Sequence, residues 1–542
     1  MPQATWSTRR DDKARRLAGV APFTRGKFLD TAAIVPALQA LLRPGDRVAL
    51  EGNNQKQADF LSRSLAQVDP RAVHDLHLLI SSISRPEHLD LFERGIARKV
   101  DFAFAGPQSV RVAQLLEAGR LEVGAINTYV ELYARMFVEL GPQVALVCAA
   151  RADAAGNLYT GANTEDTPTI VEAAAFRQGI VVAQVNEIGE LPRVDIPGSW
   201  VDLVVQADRP FALEPLFTRD PAQISAQQVL MGMMVIRGIY ERHGVTSLNH
   251  GIGFDTAAIE LLLPTYGGSL GLKGRICRNW ALNPHPTLIP AIESGWVESV
   301  YCFGSEVGME EYVRARPDVF FVGSDGSLRS NRVLCQLAGQ YGVDLFVGST
   351  LQMDGDANSS TVTLGRLAGF GGAPNMGHDP HGRRHSSPAW LDLISVEAPV
   401  VRGRKLVVQL VRTVSKSGTP ALVESLDAVA VGKRCGMPIA PVMIYGDDVS
   451  HVVTELGIAY LYKAQGLEER RAALAAIAGN TPIGARADPA RTAGLRARGL
   501  VAWPEDVGVE RAAAQPALLA ARSVDDLVRW SGGLYQPPER FR

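Results

Sequence analysis

A run of glycines near residue 370 is the strongest candidate for chemistry in this sequence. It reads Gly369-Phe370-Gly371-Gly372 and follows a strand-like run that ends in a polar turn. Successive glycines let backbone N–H groups converge on an anion, because no Cβ obstructs the approach. That anion could be the oxyanion that develops when a thioester is attacked, or it could be a phosphate. A plain glycine turn is the alternative interpretation.

Two further turns each follow a strand-like run and precede a helix-like run. The later turn has Gly251 and Gly253 in a G-x-G pattern, but the third glycine of a dinucleotide-binding fingerprint is absent. It therefore predicts a helix N-terminus whose N–H groups suit a carboxylate or an acyl carbonyl. The earlier turn carries the amides Asn53, Asn54 and Gln55, which can hold a dicarboxylate without a fixed charge.

The residues that follow the glycine run are rich in histidine and arginine. The stretch 375–385 contains His378, His381 and His385 among Asp, Pro and Arg residues. A zinc site normally closes with three or four ligands in fixed geometry, whereas the proline and the arginines favour a polar loop. Arginines there could alternatively meet the phosphates of a nucleotide-type cofactor. We predict no metal site.

Glu306, in the segment FGSEVG, allows two interpretations. It could be a carboxylate nucleophile that attacks a thioester and divides acyl transfer into two steps. It could instead be an acid at a helix N-terminus, where the dipole of the following EEYVRA segment favours a negative charge.

Short β-rich runs alternate with amphipathic helical stretches along most of the chain. Runs such as RVAL (47–50), VALVCAA (144–150) and GIVVAQV (179–185) predict mostly parallel strands in α/β layers. The pattern restarts near residue 226, and the strand-turn-helix segments that begin at Arg47 and Val245 read alike, roughly one domain length apart. Two similar halves would share a cleft, since ligands lie at the carboxyl ends of parallel strands.

These patterns predict an α/β fold with two similar open-sheet domains that face a shared cleft, followed by a helical C-terminal tail. From residue 466 the composition shifts to Ala, Arg and Glu. The predicted boundaries are an N-terminal extension over 1–24, a first domain over 25–225, a second domain over 226–465 and a helical extension over 466–542.

The composition excludes several classes of protein. The 542 residues carry 55 Lys+Arg against 57 Asp+Glu, a formal charge of -2, so no general attraction to nucleic acid or to an acidic membrane is expected. Five scattered cysteines without a C-x-x-C argue against a disulfide framework and favour a reducing cytoplasm. The sequence contains no uninterrupted apolar run of about 18 residues, so we predict no membrane-spanning helix. The N-terminus lacks the apolar region of a signal peptide.

Three segments together resemble the CoA-transferase superfamily, and most closely the family of malonate decarboxylase alpha subunits. NHGIGFDTAAI is similar to the turn that opens the second half of CoA transferases. The span from FGSEVGMEEY to MDGDANSS, followed by GFGG, is similar to their strand, D-x-x-G-x-x-N-S and G-x-G-G pattern. VTELGIAYLYKAQG resembles their V-T-E-x-G-V-A-x-L segment. The resemblance covers roughly residues 25 to 480 and implies two CoA-transferase-like domains.

One departure from the superfamily bears on the mechanism. Members that form a covalent intermediate carry a nucleophilic glutamate in S-E-N-G or H-T-E-M, whereas this region reads GRICRNWALNPHPTLIPAIESG, with Asn279, Leu282, Asn283 and His285 near the expected place. Glu306 falls later, so the family role does not transfer to it and the helix N-terminus is the favoured interpretation. The absence resembles the citrate lyase branch, in which acyl exchange runs without an enzyme-bound thioester.

The resemblance implies a reaction in which acetyl-S-acyl carrier protein and malonate give malonyl-S-acyl carrier protein and acetate. A malonate oxygen would attack the acetyl thioester directly, give a mixed anhydride, and release a thiolate that attacks the malonyl carbonyl. The implied partners are the acyl carrier protein, whose CoA-like prosthetic arm is the cofactor, and the decarboxylase beta and gamma subunits. No nucleic acid, membrane or metal is expected to take part.

The same resemblance gives each candidate residue an expected role. The Gly371 and Gly372 amides would hold both oxyanions, and nearby amides or an arginine would position the second malonate carboxylate. The remaining candidates are Asn54 and Gln55 for catalysis; Asn53, Gly251, Gly253, Arg278 and Asn279 for substrate binding; and Gly369, Phe370, Asn358 and Asn375 for the carrier arm.

Two other functions remain open on the sequence. An ordinary CoA transferase or acyl-CoA hydrolase would act on free CoA and would need a functional glutamate. A non-catalytic acyl-CoA sensor or assembly scaffold would only bind, because the fold by itself does not fix function.

Overall fold

The computed structural model describes residues 5–53, 56–302, 304–323, 328, 332–377, 405–415 and 418–541. Two large sheets, one in each half of the chain, form the framework. The strands of the first half are β1 (Thr24–Arg25), β2 (Phe28–Leu29), β3 (Arg47–Leu50), β4 (Leu76–Ser82), β5 (Ala97–Phe104), β6 (Glu122–Ile126), β7 (Val144–Ala152), β8 (Leu158–Tyr159), β9 (Ile180–Ile188) and β10 (Leu203–Gln206).

The first sheet has the order β1-β2-β10-β9-β7-β3-β4-β5-β6, with β8 paired to β7. All its pairs are parallel except β1 with β2 and β7 with β8. Its central strands, such as β3, β4 and β7, are mostly buried on both faces, as parallel strands covered by helices must be. Val48 and Leu50 belong to the core on one face and Ala49 to the core on the other.

The second half contains the larger set of short strands. They are β11 (Ser247–His250), β12 (Asn279–Ala281), β13 (Ser299–Tyr301), β14 (Leu345–Ser349), β15 (Gln352–Met353), β16 (Ser359–Ser360), β17 (Val362–Thr363), β18 (Arg366–Leu367), β19 (Leu406–Leu410), β20 (His451–Val453), β21 (Ile458–Tyr460) and β22 (Val501–Ala502). The sheet order is β13-β12-β11-β14-β19-β20-β21-β22, and the pairs β15-β16 and β17-β18 form two small separate sheets.

Helices cover both faces of the two sheets. Their bounds are α1 (Trp6–Val20), α2 (Ile34–Leu41), α3 (Asp59–Leu65), α4 (Pro86–Glu93), α5 (Ser109–Glu117), α6 (Tyr129–Val138), α7 (Thr167–Phe176), α8 (Ala226–Val235), α9 (Phe254–Leu262), α10 (Ile289–Glu293), α11 (Glu310–Ala315), α12 (Arg332–Gly342), α13 (Ala373–Gly377), α14 (Asp427–Arg434), α15 (Leu467–Ala476), α16 (Pro489–Ala497) and α17 (Val524–Trp530). None of the helices in the described residues is long and apolar enough to cross a membrane.

The two halves repeat one topology, which confirms the internal symmetry predicted from the sequence. The order β10-β9-β7-β3-β4-β5 in the first sheet corresponds to β20-β19-β14-β11-β12-β13 in the second. One turn also occurs in both halves. In the first half, the backbone N–H of Asn157 donates to the Asp153 carboxylate, and the Asn157 side-chain oxygen accepts from the Gly198 N–H at 2.7 Å. In the second half, Asp354 and Asn358 make the same two kinds of hydrogen bond. The predicted α/β fold with two similar open-sheet halves is therefore confirmed.

Two local expectations need correction. The apolar run DVFFVGS at 318–324 has the pattern of a strand, but in its described part only Phe320 and Val322 form isolated bridges. The predicted helical C-terminal tail contains α15, α16 and α17 but also β22, which pairs with β21 and extends the second sheet. The extension is therefore integral to the second half. The boundaries of the domains remain a proposal.

Candidate active site

A cavity of about 320 Å³ lies where the two halves meet. It opens at the carboxyl ends of parallel strands β5, β11, β12 and β14, where ligands of α/β proteins generally bind. Its polar and glycine residues come from both halves of the chain. The described wall includes Tyr129, Arg219, Asn249, His250, Gly251, Asn283, His285, Arg332, Gln336, Ser349, Thr350, Thr361, Arg366, Gly369, Gly371 and Gly372.

The glycine turn, residues 369–372, joins the second half to strand β5 of the first. The N–H groups of Phe370 and Gly371 donate to the Ala103 carbonyl at 2.8 and 2.9 Å. Gly369 has φ +75°, and a Cβ there would lie 2.4 Å from the Ala103 oxygen, so only glycine allows this approach. The Gly371 amide is thus already bonded. The expectation that it binds an oxyanion is wrong, because strand β5 takes that donor.

The Gly372 amide keeps the predicted role open. Its N–H makes no hydrogen bond to any described residue. A Cβ on Gly372 would lie 2.5 Å from Nε2 of Gln336, a buried residue on α12 that also lines the cavity. The Gln336 Oε1 is buried without a hydrogen-bond partner. The Gly372 N–H and the Gln336 amide are therefore adjacent polar groups on one wall. Sequence reasoning gave no sign of Gln336.

A buried carboxylate holds two histidines at the cavity. Glu260 Oε1 accepts hydrogen bonds from Nδ1 of His250 and Nδ1 of His285, each at 2.9 Å, and Thr287 donates to its Oε2. Burial raises the pKa of Glu260, but the two histidines outweigh it and hold that pKa well below its usual range. Burial lowers the pKa of His250, whose Nε2 lies 2.6 Å from the Tyr240 hydroxyl.

His285 has the open position in this group. Its ring stacks on Phe217 at a centroid distance of 5.1 Å, and Nδ1 is used by Glu260. No hydrogen bond to Nε2 is present among the described residues, and the side chain lines the cavity. A carboxylate that fixes one imidazole nitrogen leaves the other ready to bind a substrate oxygen or sulfur. His285 stood near the place of the missing family glutamate in the sequence.

Glu306 makes contacts that neither interpretation of the sequence predicted. Its carboxylate is fully buried and accepts from the N–H groups of Leu216, Phe217 and Thr218 at 3.2, 3.1 and 2.9 Å. The Thr218 hydroxyl donates to it as well, at 2.8 Å. Burial raises the pKa of Glu306, and these donors oppose that shift. Glu306 does not line the cavity; it fixes the loop that does.

A second buried ionic group lies beside the cavity and includes one predicted substrate residue. Arg332 contacts Glu165 and donates from Nε to Asp166 at 2.9 Å, and its guanidinium lies 4.0 Å from the Tyr129 ring centroid. Asn53 is buried and donates to Glu165, so its amide supports this group and does not line the cavity. Asn54 and Gln55 lie outside the described residues.

The other residues predicted to bind the substrate lie at different places relative to the cavity. Gly251 lines the cavity, but its N–H donates to the Val347 carbonyl at 2.7 Å. Gly253 precedes α9 with extended backbone and is not in the described wall. Arg278 is an exposed partner of Glu298 at 2.6 Å.

The predictions for Arg278 and Asn279 are wrong, because both lie at the amino end of β12. Asn279 instead accepts from the Ser299 hydroxyl at 2.8 Å. The cavity is at the carboxyl end of the same strand, where Asn283 and His285 lie. The comparison with the family pattern pointed to this segment but not to the end of β12 at which the cavity lies.

Of the four residues expected to bind the carrier arm, two line the cavity and two do not. Gly369 and Phe370 line the cavity. Asn358 lies in the recurrent turn, where it accepts from the Gly446 N–H at 2.9 Å, so its amide has a structural use. Asn375, on α13 next to the glycine turn, has a buried Oδ1 without a hydrogen bond.

The histidine-rich stretch 378–385 lies outside the described residues. Within the described part of the chain, no group of three or more His, Cys, Asp or Glu side chains could hold a metal ion.

Distant solved structures define the class of the fold. An acyl-CoA transferase from Escherichia coli O157:H7 is 13% identical, with a TM-score of 0.51 and coverage of 79% of this chain and 87% of that one. A citrate lyase alpha subunit from Streptococcus mutans is 16% identical, with a TM-score of 0.58 and coverage of 85% and 87%. The fold is that of the CoA-transferase class.

Much nearer relatives define the family. The family described as "Malonate decarboxylase, alpha subunit, transporter" matches residues 5–542. The acetyl-S-ACP:malonate ACP transferase of Malonomonas rubra is 56% identical over 539 residues, 98% of this chain and 97% of that protein. A chain of a Pseudomonas malonate decarboxylase hetero-tetramer, solved in complex with malonate, is 67% identical, with a TM-score of 0.94 and coverage of 100% of both chains. This chain belongs to the malonate decarboxylase alpha-subunit family, and the resemblance seen in the sequence is confirmed.

Proposed function

We propose that this chain is an acyltransferase that exchanges acetyl for malonyl on the thiol of an acyl carrier protein. The substrates are acetyl-S-acyl carrier protein and malonate, and the products are malonyl-S-acyl carrier protein and acetate. The observation that carries this proposal is the charge of the cavity wall. Its described residues include Arg219, Arg332 and Arg366, of which Arg332 is paired with Glu165 and Asp166, and they include no Asp or Glu. Such a wall favours a dianionic acceptor, and it offers no carboxylate for a covalent intermediate.

The proposed steps need no protein-bound ester. A malonate carboxylate oxygen attacks the acetyl carbonyl carbon, and the C–S bond of the tetrahedral intermediate breaks to give a mixed anhydride and a carrier thiolate. The thiolate then attacks the malonyl carbonyl, and the C–O bond to acetate breaks. No base is needed for the first attack, since a carboxylate is ionised near neutral pH. The Gly372 N–H, beside Gln336, would stabilise each oxyanion.

The remaining partners follow from this reaction. The carrier's CoA-like arm would enter between the two halves along the glycine turn, where Gly369 and Phe370 form part of the wall. The malonyl thioester would pass to decarboxylase beta and gamma subunits of the same complex. A cytoplasmic location fits the absence of a membrane-spanning helix among the described residues, and it remains part of the proposal.

An exchange assay tests the function. The purified chain is incubated with malonate and with acetyl-labelled carrier protein, and with acetyl-CoA as a smaller donor. We expect labelled acetate and malonyl thioester in equal amounts. Release of acetate without malonyl thioester would indicate a hydrolase, and no release with either donor would leave only a binding protein.

A trapping experiment distinguishes direct exchange from a covalent route. Hydroxylamine is added during turnover, and the protein is analysed by mass spectrometry for an acyl hydroxamate on a carboxylate side chain. We expect none. A hydroxamate at Glu306 would contradict direct exchange and favour the CoA-transferase alternative.

A further inference from the structure

The three arginines of the cavity wall differ in what balances their charge. Arg332 is bonded to Glu165 and Asp166. Arg366 is exposed and donates to the Ser109 hydroxyl at 3.0 Å. Arg219 is partly buried, and no carboxylate among the described residues lies within salt-bridge distance of it. The Glu306 and Glu260 carboxylates attract it from beyond contact distance, so the guanidinium has no paired carboxylate and can take one from a ligand.

The nitrogen atoms of the Arg219 guanidinium differ in their hydrogen bonds. Among the described residues, only Nη1 makes hydrogen bonds, to the Leu216 and Thr218 carbonyls at 2.8 Å each. The guanidinium carbon lies 5.7 Å from the Phe254 ring centroid, so the aromatic ring packs beside the cation. Its Nε and Nη2 make no hydrogen bond to the described residues, and neither belongs to the buried atoms left without a partner there, so this edge is accessible. That edge is the one that binds a carboxylate through two parallel hydrogen bonds.

The loop that carries Arg219, residues 214–219, is held from three sides. Glu306 accepts from its consecutive backbone N–H groups. Tyr535 of the C-terminal extension places its hydroxyl 3.3 Å from the Thr218 hydroxyl, and Arg540 donates to the Pro215 carbonyl at 2.8 Å. A loop held in this way presents one guanidinium orientation to the cavity.

We infer that Arg219 binds the non-reacting carboxylate of the acceptor acid and that Glu306 is the residue that positions it. This inference rests on the proposed transferase function. It assigns a specific role to Glu306, for which the sequence left a nucleophile and a helix N-terminal acid as alternatives. The acceptor class that it predicts is a short dicarboxylate, one end of which reacts near Gly372 while the other pairs with Arg219.

Acceptor competition tests the assignment. Wild type, Arg219→Gln and Arg219→Lys are assayed with acetyl-CoA as donor and either malonate or labelled acetate as acceptor. For Arg219→Gln we expect kcat/KM for malonate to fall about 100-fold, mostly through KM, because a charge-assisted carboxylate pair is lost. Exchange with acetate should change less than about threefold, since acetate has no second carboxylate. Arg219→Lys should recover part of the loss.

Glu306→Gln tests the positioning role. Its amide would face backbone N–H groups with a donor in place of one acceptor, so the loop should lose its fixed orientation. We expect a rise in the malonate KM with little change for acetate. The double variant Arg219→Gln with Glu306→Gln should be no worse than Arg219→Gln alone, because both changes remove the same contact. The matched control is Arg98→Gln, which removes an exposed surface arginine paired with Glu122.

Equilibrium dialysis with labelled malonate gives a readout that does not depend on turnover. Wild type should bind malonate, and Arg219→Gln should bind it about 100-fold more weakly, with circular dichroism confirming that the variant is folded. If Arg219→Gln keeps the wild-type preference for malonate and its malonate affinity, the inference is overturned. If wild type transfers to neither acceptor but Arg219→Gln still loses malonate binding, the proposed function fails and the carboxylate site stands.

Discussion

At the scale of single residues, the cavity depends on which polar atoms are already used inside the protein. The Gly371 N–H donates to strand β5, whereas the Gly372 N–H makes no hydrogen bond to the described residues. The Glu306 carboxylate is hydrogen-bonded to the loop at 214–219, whereas Nε and Nη2 of Arg219 make no hydrogen bond to the described residues. Reactivity in this site is therefore set by unsatisfied donors, because a group that is already bonded has little left to offer a transition state.

Gly372→Ala should impair chemistry more than stability. The new Cβ would meet Gln336 Nε2 at 2.5 Å and displace that amide. We expect kcat to fall roughly 100-fold, the size of effect seen when one oxyanion donor is removed. Steady-state kinetics with acetyl-CoA and malonate measures it.

Gly268→Ala is the matched control for that variant. Gly268 is exposed and a Cβ there would meet no atom within 4 Å. A Gly372→Ala enzyme with the wild-type kcat would remove Gly372 and Gln336 from the proposed oxyanion site.

At the scale of elements, the site is held by contacts between segments far apart in the chain. Glu260 on α9 fixes His250 at the end of β11 and His285 after β12. The C-terminal extension closes the same region, since β22 continues the second sheet and Tyr535 reaches Thr218. The extension therefore contributes to the position of the Arg219 loop as well as to the core.

Glu260→Gln should weaken the fold and the catalytic site together. One of the histidine or threonine donors would lose its acceptor inside the core, which costs about 1–3 kcal/mol. His285 would lose its fixed orientation, so kcat should fall as well. Denaturant unfolding and steady-state kinetics of the same preparation measure both effects. Glu122→Gln, an exposed change, is the control; equal stability of the two variants would contradict the proposed buried network.

Leu527→Ala should show that the C-terminal extension is part of the second core. Leu527 on α17 is fully buried there, and a Leu→Ala change in a core costs about 2–5 kcal/mol. Leu534, which is 39% exposed in the same extension, provides Leu534→Ala as a control with a much smaller cost. Thermal and denaturant unfolding measure the difference. Equal effects of the two changes would indicate that the extension is a loosely attached tail.

At the scale of the whole molecule, several buried histidines make the fold sensitive to acid. Burial lowers the pKa of His88 to about 3 and that of His243 to about 4. Both ring nitrogens of His88 are buried without a hydrogen bond in the described structure. A histidine of this kind stays neutral in the folded state at pH values where the unfolded chain already takes up a proton.

His88→Leu should flatten the acid side of the stability curve. Above the ordinary histidine pKa of 6.5, the wild type and the variant should differ by a constant amount. Below pH 6.5, His88 is protonated in the unfolded wild type but stays neutral in the folded state. The free energy of unfolding of the wild type should therefore fall relative to that of the variant as the pH drops from 6.5 towards 3. Urea unfolding across that range measures the difference. Parallel curves would show that His88 is protonated in the folded protein.

The sequence by itself determined the alternation of strands and helices, the repeat at about 200 residues and the family to which the chain belongs. Those features depend on local apolar periodicity and on motifs in a fixed order, which a chain displays before it folds. It also located the glycine turn and the segment that contains His285. The tertiary structure alone decided which donors remain open, because the acceptors of Gly371, Glu306 and Asn53 lie on segments far away in the chain. Arg219 and Gln336 escaped the sequence for the same reason: proximity across the cleft, which no local pattern encodes, makes them part of the site.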